Sequence, residues 1–338
     1  MAKSWGKLLA RIIGYGILAL LVLAALALTF TVGWRPVIGA KKRPLTSRKF
    51  EPTPERMRRG EYLVHAVINC MGCHSKYDEK ADPPVLLSKE GAGAVLYEEG
   101  KFRLVAPNIT SDSETGLGTW SDDAIARAIR EGIAVDGRVL FPVMPYEHFR
   151  LMSDEDVASI VVFIRSLPPV HSDLPPAKIP FLFSRLIQAV PQPVTEPVPE
   201  LGMSTPARHG AYLAEMAHCS DCHTPRNPKF EPIPGMEMAG GSPMGEGVFS
   251  ANLTPDASGI GYYDEALFIE TLRTGYVRAR KLNSVMPWWA FRNLTDDDLK
   301  AVFAYLRTLK PVHHLVDNTE PPTQCKLCGQ KHGLGDHN

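Results

Sequence analysis

From Ile12 to Trp34 the chain runs for 23 residues without a charged side chain, enough to cross the hydrocarbon core of a bilayer as a helix. Further on the apolar positions follow a different rule. Val157, Ile160, Val161, Ile164 and Leu167 recur at three and four, as do Leu299, Val302, Phe303, Leu306 and Leu309, each set the buried stripe of an amphipathic helix. Ser153 and Thr295 stand at the N-cap positions, with Asp156 and Asp298 three residues on in capping-box spacing. Pro168 and Pro311 end the two helices. Between them the segment from 168 to 206 is Pro-rich and without periodicity, which predicts a semi-rigid connector. Its apolar piece FLFSRLIQAV, 181 to 190, is expected to pack between two domains rather than against lipid.

The paired stripes belong to a longer duplication. PVMPYEHFRLMSDEDVASIVVFIRSLPPVH (142–171) aligns without a gap on SVMPWWAFRNLTDDDLKAVFAYLRTLKPVH (284–313), at a constant offset of 142. Upstream, APNITSD (106–112) matches ANLTPD (251–256), and RGEYLVHAVINCMGCH answers RHGAYLAEMAHCSDCH. The chain is therefore read as two copies of one mainly helical domain.

Charge changes the picture in two places. Thirty-seven basic and 37 acidic side chains leave no basic field for nucleic acid. Around the apolar stretch Lys3, Lys7 and Arg11 precede, while Arg35, Lys41, Lys42 and Arg43 follow, so basic residues alone do not set its orientation. The length favours a retained anchor over a cleaved signal peptide, for which Ala25-Leu26-Ala27 would be the cleavage signal. Either reading exports the remainder. The basic segment after the apolar stretch is expected to be a stalk lifting the first domain off anionic lipid.

The chemistry lies in CMGCH (70–74) and CSDCH (219–223). In Cys-x-x-Cys-His two thiols bond covalently to the vinyl groups of haem and the histidine places an imidazole on the iron. Cys70 and Cys73, and Cys219 and Cys222, are thus the candidate attachment points, with His74 and His223 as iron ligands. The sixth position decides between electron transfer and substrate chemistry. Met144-Pro145 lies 70 residues after His74, and Met286-Pro287 lies 63 after His223. A single methionine is ordinarily core filler, but one that recurs at the same place in both copies is the candidate second ligand. Met152 has Leu294 as its counterpart, and Met236, Met238 and Met244 have none. His148 has Ala290 as its counterpart, which points to packing.

With these residues, and with HCSDCHTPRN and PNITSDSETGLGTWSDDAIARAIREG, the chain resembles the membrane-bound multihaem cytochromes c typified by the cytochrome subunits of alcohol, aldehyde and gluconate dehydrogenases. The resemblance covers about residues 56 to 316. It implies two tandem class I-like cytochrome c domains behind an N-terminal transmembrane helix, with two covalently bound haem c groups. The family usually carries three haems and passes electrons from a dehydrogenase toward ubiquinone or an oxidase; here there are two motifs. The resulting layout is a cytoplasmic N-terminus at 1–11, an anchor at 12–34, a stalk at 35–55, a first domain at 56–172, a linker at 173–206, a second domain at 207–316 and a tail at 317–338. The expected role is relaying single electrons on the periplasmic side of the inner membrane between a respiratory donor and an oxidase or soluble carrier. The alternatives are a cytochrome subunit of a membrane-bound dehydrogenase and a diheme peroxidase-type enzyme. No catalytic residue is read from the sequence. Thr224-Pro225 resembles the family's pattern in which a proline carbonyl orients the ligand imidazole, whereas Ser75-Lys76 departs from it.

The last stretch, CKLCGQKHGLGDHN (325–338), has Cys-x-x-Cys without the adjacent histidine and too little chain after it to enclose a third haem. Cys325, Cys328, His332 and His337 form a compact set able to hold zinc, with a Cys-to-His gap shorter than in the usual zinc modules. A Cys325–Cys328 disulfide or an unligated tail is the competing reading in an exported protein.

Overall fold

A computed structural model describes residues 2–338 apart from Glu79, Leu201, Gly202, Met203 and Glu246. Met1 of the N-terminal segment and residues 201–203 of the linker therefore lie outside the described residues. The long helix spans Ala2–Phe30, and its apolar part, Trp5–Phe30, has a mean hydropathy of 2.5 with none of it buried in the protein. It begins well before Ile12 and stops short of Trp34, because the chain turns at Thr31–Gly33, with Gly33 at φ 72°.

Each repeat then folds alike, into a leading helix, a short helix on the Cys-x-x-Cys-His motif, a middle helix, a one-turn helix after Met-Pro and a closing helix. The leading helices, Pro54–Tyr62 and Pro206–Met216, start from Thr53 and Thr205, whose hydroxyls accept from Arg56 N (3.2 Å) and Arg208 N (3.3 Å), with proline at the first helical position. In the first domain the helix continues as a π-helical turn, Leu63–Val67. The closing helices, Asp154–Ser166 and Asp296–Leu306, pack across the leading helices. At the crossing a Cβ on Gly60 would overlap the Ser159 carbonyl, and one on Gly210 the Ala301 carbonyl. The glycine of the repeated Gly-x-Tyr-Leu is thus the contact that lets two backbones touch. The middle helices are Asp122–Glu131 and Glu265–Thr274.

The two domains share one continuous apolar cluster, running from Leu63, Met152 and Ile160 to Leu213, Leu299 and Leu306. Across the boundary the repeat makes a reciprocal tie. Ser153 and Thr295 do cap their helices, accepting from Asp156 N and Asp298 N at 3.1 Å each. The aspartates, however, do not reach back to close the box. Tyr212 of the second domain donates to Asp156 at 2.6 Å and accepts from Ser153 N at 3.3 Å. Tyr62 of the first domain donates to Asp298 and accepts from Thr295 N at 3.1 Å. Each phenol thus replaces the missing half of the other domain's capping box. Arg59 and His209, at matching positions, hold the same two carboxylates from within their own domains, at 2.7 and 2.6 Å. Burial, with Asp298 second, pushes the Tyr62 phenol up to about 12, so it remains a donor.

Two expectations about the connecting segments are corrected. The basic segment is no free stalk: Arg43, largely buried, pairs with Asp123 (2.8 Å) and Glu131 (2.7 Å), while Thr46 N and Phe50 N donate to Asp123 and Asp122. It is a strap laid along the middle helix, held because those carboxylates face it. The apolar piece of the linker forms a helix at Phe181–Leu186 and does not lie between the domains. Arg185 donates instead to the Pro36 and Val37 carbonyls just beyond the long helix, at 2.6 and 2.7 Å, and Phe181, Leu182 and Phe183 stay exposed.

Candidate functional site

The motif helices are Cys70–His74 and Cys219–His223. Each is preceded by a non-glycine residue in the left-handed region, Asn69 at φ 47° and His218 at φ 43°. Asn69 offsets part of that strain by accepting from Gly72 N at 3.2 Å. The bend sets both cysteines and the histidine of each motif on a single turn. Burial pushes the Cys70 and Cys219 thiols up to about 12, so they are neutral rather than thiolates.

His74 and His223 are buried to the same degree, and burial holds both below the ordinary histidine range, which keeps the imidazoles neutral. His74 Nδ1 donates to the Pro107 carbonyl and His223 Nδ1 to the Ala251 carbonyl, each at 2.7 Å. That bond fixes the tautomer and leaves the Nε2 lone pair for a metal. Pro107 and Ala251 are equivalent in the repeat, so the two sites are matched here. Pro225, expected from the resemblance to take this part, does not. The sequence signal was present in the paired APNITSD and ANLTPD. In both, the next residue is a buried asparagine that fixes the loop. Asn108 accepts from Thr110 N (2.9 Å) and donates to the Val170 carbonyl (2.7 Å); Asn252 accepts from Thr254 N (2.9 Å) and donates to the Val312 carbonyl (2.9 Å). The closing helix of each domain is thereby linked to its histidine.

The two Met-Pro turns have matching backbone conformations. Pro145 has φ −81°, ψ 50° and Pro287 φ −78°, ψ 47°, and each opens a one-turn helix, Tyr146–Phe149 and Trp288–Phe291. Met144 and Met286 are half-buried against the apolar cluster, which Cys70 also borders, whereas Met152 is wholly buried inside it. Met152 is thus core, and the paired methionines sit at the edge of the core.

Each Met-Pro turn lies beside the motif of the other domain. His148, four residues after Met144, hydrogen-bonds Glu215 (2.8 Å) and Asp221 (3.1 Å), the latter inside CSDCH. Asp221 first and Glu215 next push His148 up to about 10, so it is a cation at neutral pH. On the opposite side Trp289, three residues after Met286, packs on Tyr77, three after His74, with ring centroids 5.3 Å apart. Lys281 reaches across to Asp82 at 2.6 Å.

In both domains the imidazole with Nδ1 tied to a carbonyl and the two thiols on the same turn are residues that would hold a covalently attached haem.

The tail divides differently from its expected set. Cys325, Cys328 and His332 are buried together, but His337 stands 62 % exposed near Asp336, on the terminal turn Gly335–His337. His314 takes the place beside the cysteines. The repeat carried a sign of this: His313 matches His171, while His314 matches Ser172 and so is particular to the copy that bears the tail.

The family profile described as Cytochrome c matches residues 58–168 and 207–310. Among curated relatives, a nicotinate dehydrogenase subunit of Pseudomonas putida is 30 % identical over 331 residues, 91 % of this chain and 25 % of that protein. The fructose dehydrogenase cytochrome subunit of Gluconobacter japonicus is 29 % identical over 281 residues, 77 % of this chain and 54 % of that one. A diheme cytochrome c-type protein of Cereibacter sphaeroides is 28 % identical over 267 residues, 75 % and 86 % respectively. The chain thus spans a quarter of the first relative, about half of the second and most of the third.

Proposed function

The chain belongs to the cytochrome c family, and on that premise we propose that it is the electron-carrying subunit of a membrane-associated dehydrogenase, loaded with two covalent haem c groups. Cys70 and Cys73 would hold one and Cys219 and Cys222 the other, with His74 and Met144, and His223 and Met286, as the candidate iron-ligating residues. When bound, each haem supplies one reversible electron at its iron. Everything else falls to the protein. The Pro107 and Ala251 carbonyls hold the imidazoles in the ligating tautomer, and Met144 and Met286 would each offer a thioether to an iron, a donor set suited to electron transfer. The observation that carries this reading is the doubling of the Nδ1-to-carbonyl tether at equivalent residues.

The interface supports transfer within the chain. His148 against Asp221, and Trp289 against Tyr77, bring the Met-Pro turn of each domain to the motif of the other. The reciprocal tyrosine ties hold that orientation. Relatives named as dehydrogenase cytochrome subunits favour a dehydrogenase as donor, with a quinone, an oxidase or a soluble carrier as acceptor.

The long N-terminal helix serves as a single-pass anchor in the inner membrane, with the haem domains in the periplasm. Arg185, bonded to the Pro36 and Val37 carbonyls, sets the exposed Phe181, Leu182 and Phe183 beside the end of that helix, where they meet the bilayer surface. Intact-mass and haem-content analysis of the full chain tests the assignment. The expected result is two haems per chain, with one lost in Cys222→Ser. A chain that matures with one haem, or none, contradicts it.

A further inference from the structure

We propose that His314, Cys325, Cys328 and His332 form a closed, structural zinc site that clamps the C-terminal tail onto the second domain. The four ligand atoms lie within 4.8 Å of one another and all four residues are buried. Zinc in a Cys2His2 set has Zn–S near 2.3 Å and Zn–N near 2.0–2.1 Å, which in a tetrahedron places sulfur about 3.6 Å from nitrogen. Cys325 Sγ lies 3.4 Å from His314 Nε2. Two thiolates and two neutral imidazoles would cancel the charge of a divalent ion, which suits a site cut off from water.

The surroundings are those of metal ligands. His314 Nδ1 donates to the Ala239 carbonyl at 2.8 Å and His332 Nδ1 to the Gly333 carbonyl at 3.0 Å, so both Nε2 lone pairs are left facing inward. His332 is completely buried, and among the described residues its Nε2 has no hydrogen-bond partner. A buried nitrogen of that kind is costly unless something occupies its lone pair. The two rings stand edge to face, centroids 5.0 Å apart and 88° between planes, as two ligands of one centre do. Gly329, directly after the second cysteine, adopts φ 70° and turns the chain back, so that Cys325 N donates to the Gln330 carbonyl at 2.9 Å and the Gln330 N–H meets the Cys328 sulfur. The opposite wall is Gly241 at φ 87°, where a Cβ would come within 2.6 Å of the His314 ring.

The ligands come from separate parts of the chain. His314 follows the closing helix of the second domain, the cysteines sit in the turn of the hairpin Pro322–Gln324 and Lys331–Gly333, and His332 lies on its second strand. Met236 and Ala239, in the loop between the second motif helix and the middle helix, pack on the cysteines. The site also touches the haem ligands at one remove: Asn252 Nδ2 donates to the His314 carbonyl at 3.3 Å, and its neighbour Ala251 holds His223. This role is independent of what donates electrons to the chain.

Metal analysis of the full-length protein, produced with zinc in the medium and purified in detergent, tests the proposal. One zinc per chain is expected beside the two haem irons, with X-ray absorption at the zinc edge giving two sulfur and two nitrogen neighbours. His337→Ala should retain the zinc, while His314→Ala and Cys325→Ser should each lose it and keep both haems. Where a variant fails to fold, stoichiometry and absorption on the unaltered protein decide. A zinc content near zero, with a Cys325–Cys328 disulfide by mass spectrometry or with free thiols that take up no added zinc, overturns the proposal. So does zinc retained in His314→Ala.

Discussion

Replacing Tyr212 with phenylalanine removes one oxygen atom from the boundary between the domains. That oxygen donates to Asp156 at 2.6 Å and accepts from Ser153 N at 3.3 Å. A hydrogen bond to a charged group contributes about 1.5–3 kcal/mol and a neutral one about 0.5–1.5 kcal/mol. Asp156 keeps its two bonds from Arg59, at 2.7 and 3.0 Å, so its charge is not stranded. The expected loss is therefore about 2–3 kcal/mol. In a cooperative unit of roughly 200 residues each kcal/mol lowers Tm by about 2–4 °C, so the expected shift is about 4–12 °C. Tyr62→Phe should cost less, about 1–2 kcal/mol, because Tyr62 is only half-buried and Asp298 retains His209 at 2.6 Å. Calorimetry of the full-length holoprotein in detergent gives both values, with the haem absorbance confirming that both sites are loaded. Because the two ties hold one interface, the double variant should depart from the sum of the singles by more than about 0.5 kcal/mol. A Tm change below about 1 °C for Tyr212→Phe, or strict additivity of the pair, would refute the reciprocal tie.

Three further outcomes are expected. Met144→Ala and Met286→Ala should each remove part of the thioether-to-iron charge-transfer band at the red end of the oxidised spectrum and lower one reduction potential; a variant that changes neither identifies its methionine as packing. Gly60→Ala should destabilise the first domain by at least the 1–3 kcal/mol typical of overpacking, since the atom overlapped is a backbone carbonyl, and a neutral result in thermal unfolding counts against the helix crossing. His148 is raised from an ordinary value near 6.5 to about 10 by Asp221 and Glu215; Asp221 is also faced by Arg226 and His218. A histidine raised on folding stabilises fully below 6.5, and the gain fades as pH rises through 10. With solvent screening the contribution is about 1–3 kcal/mol, so unfolding followed from pH 7 to 10 should fall more steeply for the unaltered protein than for His148→Ala; parallel curves would remove His148 from the interface.

What the sequence made legible was whatever the repeat stated twice. The closing helices, their caps and the paired motifs follow from local pattern, because spacing and capping chemistry act within a few residues. The destination of Asp156 and Asp298 was hidden, since their partners Tyr212 and Tyr62 lie in the other copy. Nothing in a capping-box spacing reports a side chain arriving from another domain. The carbonyls that hold His74 and His223 were hidden for a related reason: any residue supplies a carbonyl, so Pro107 and Ala251 share no side-chain signature. His314 was missed because metal spacing was read within the tail alone, whereas the fold brings in a ligand from before it. The strap at Arg43 and the helix at Phe181–Leu186 were misread because charge and apolarity fix the kind of partner a segment prefers, not which partner lies nearest.

The most direct test of the two-centre reading is a spectroelectrochemical titration of the full-length holoprotein. Two one-electron transitions are expected, with low-spin spectra at both irons in the oxidised and the half-reduced states. A high-spin haem signal in either state, or a single transition worth one electron per chain, would contradict the proposed pair of His–Met electron-transfer centres.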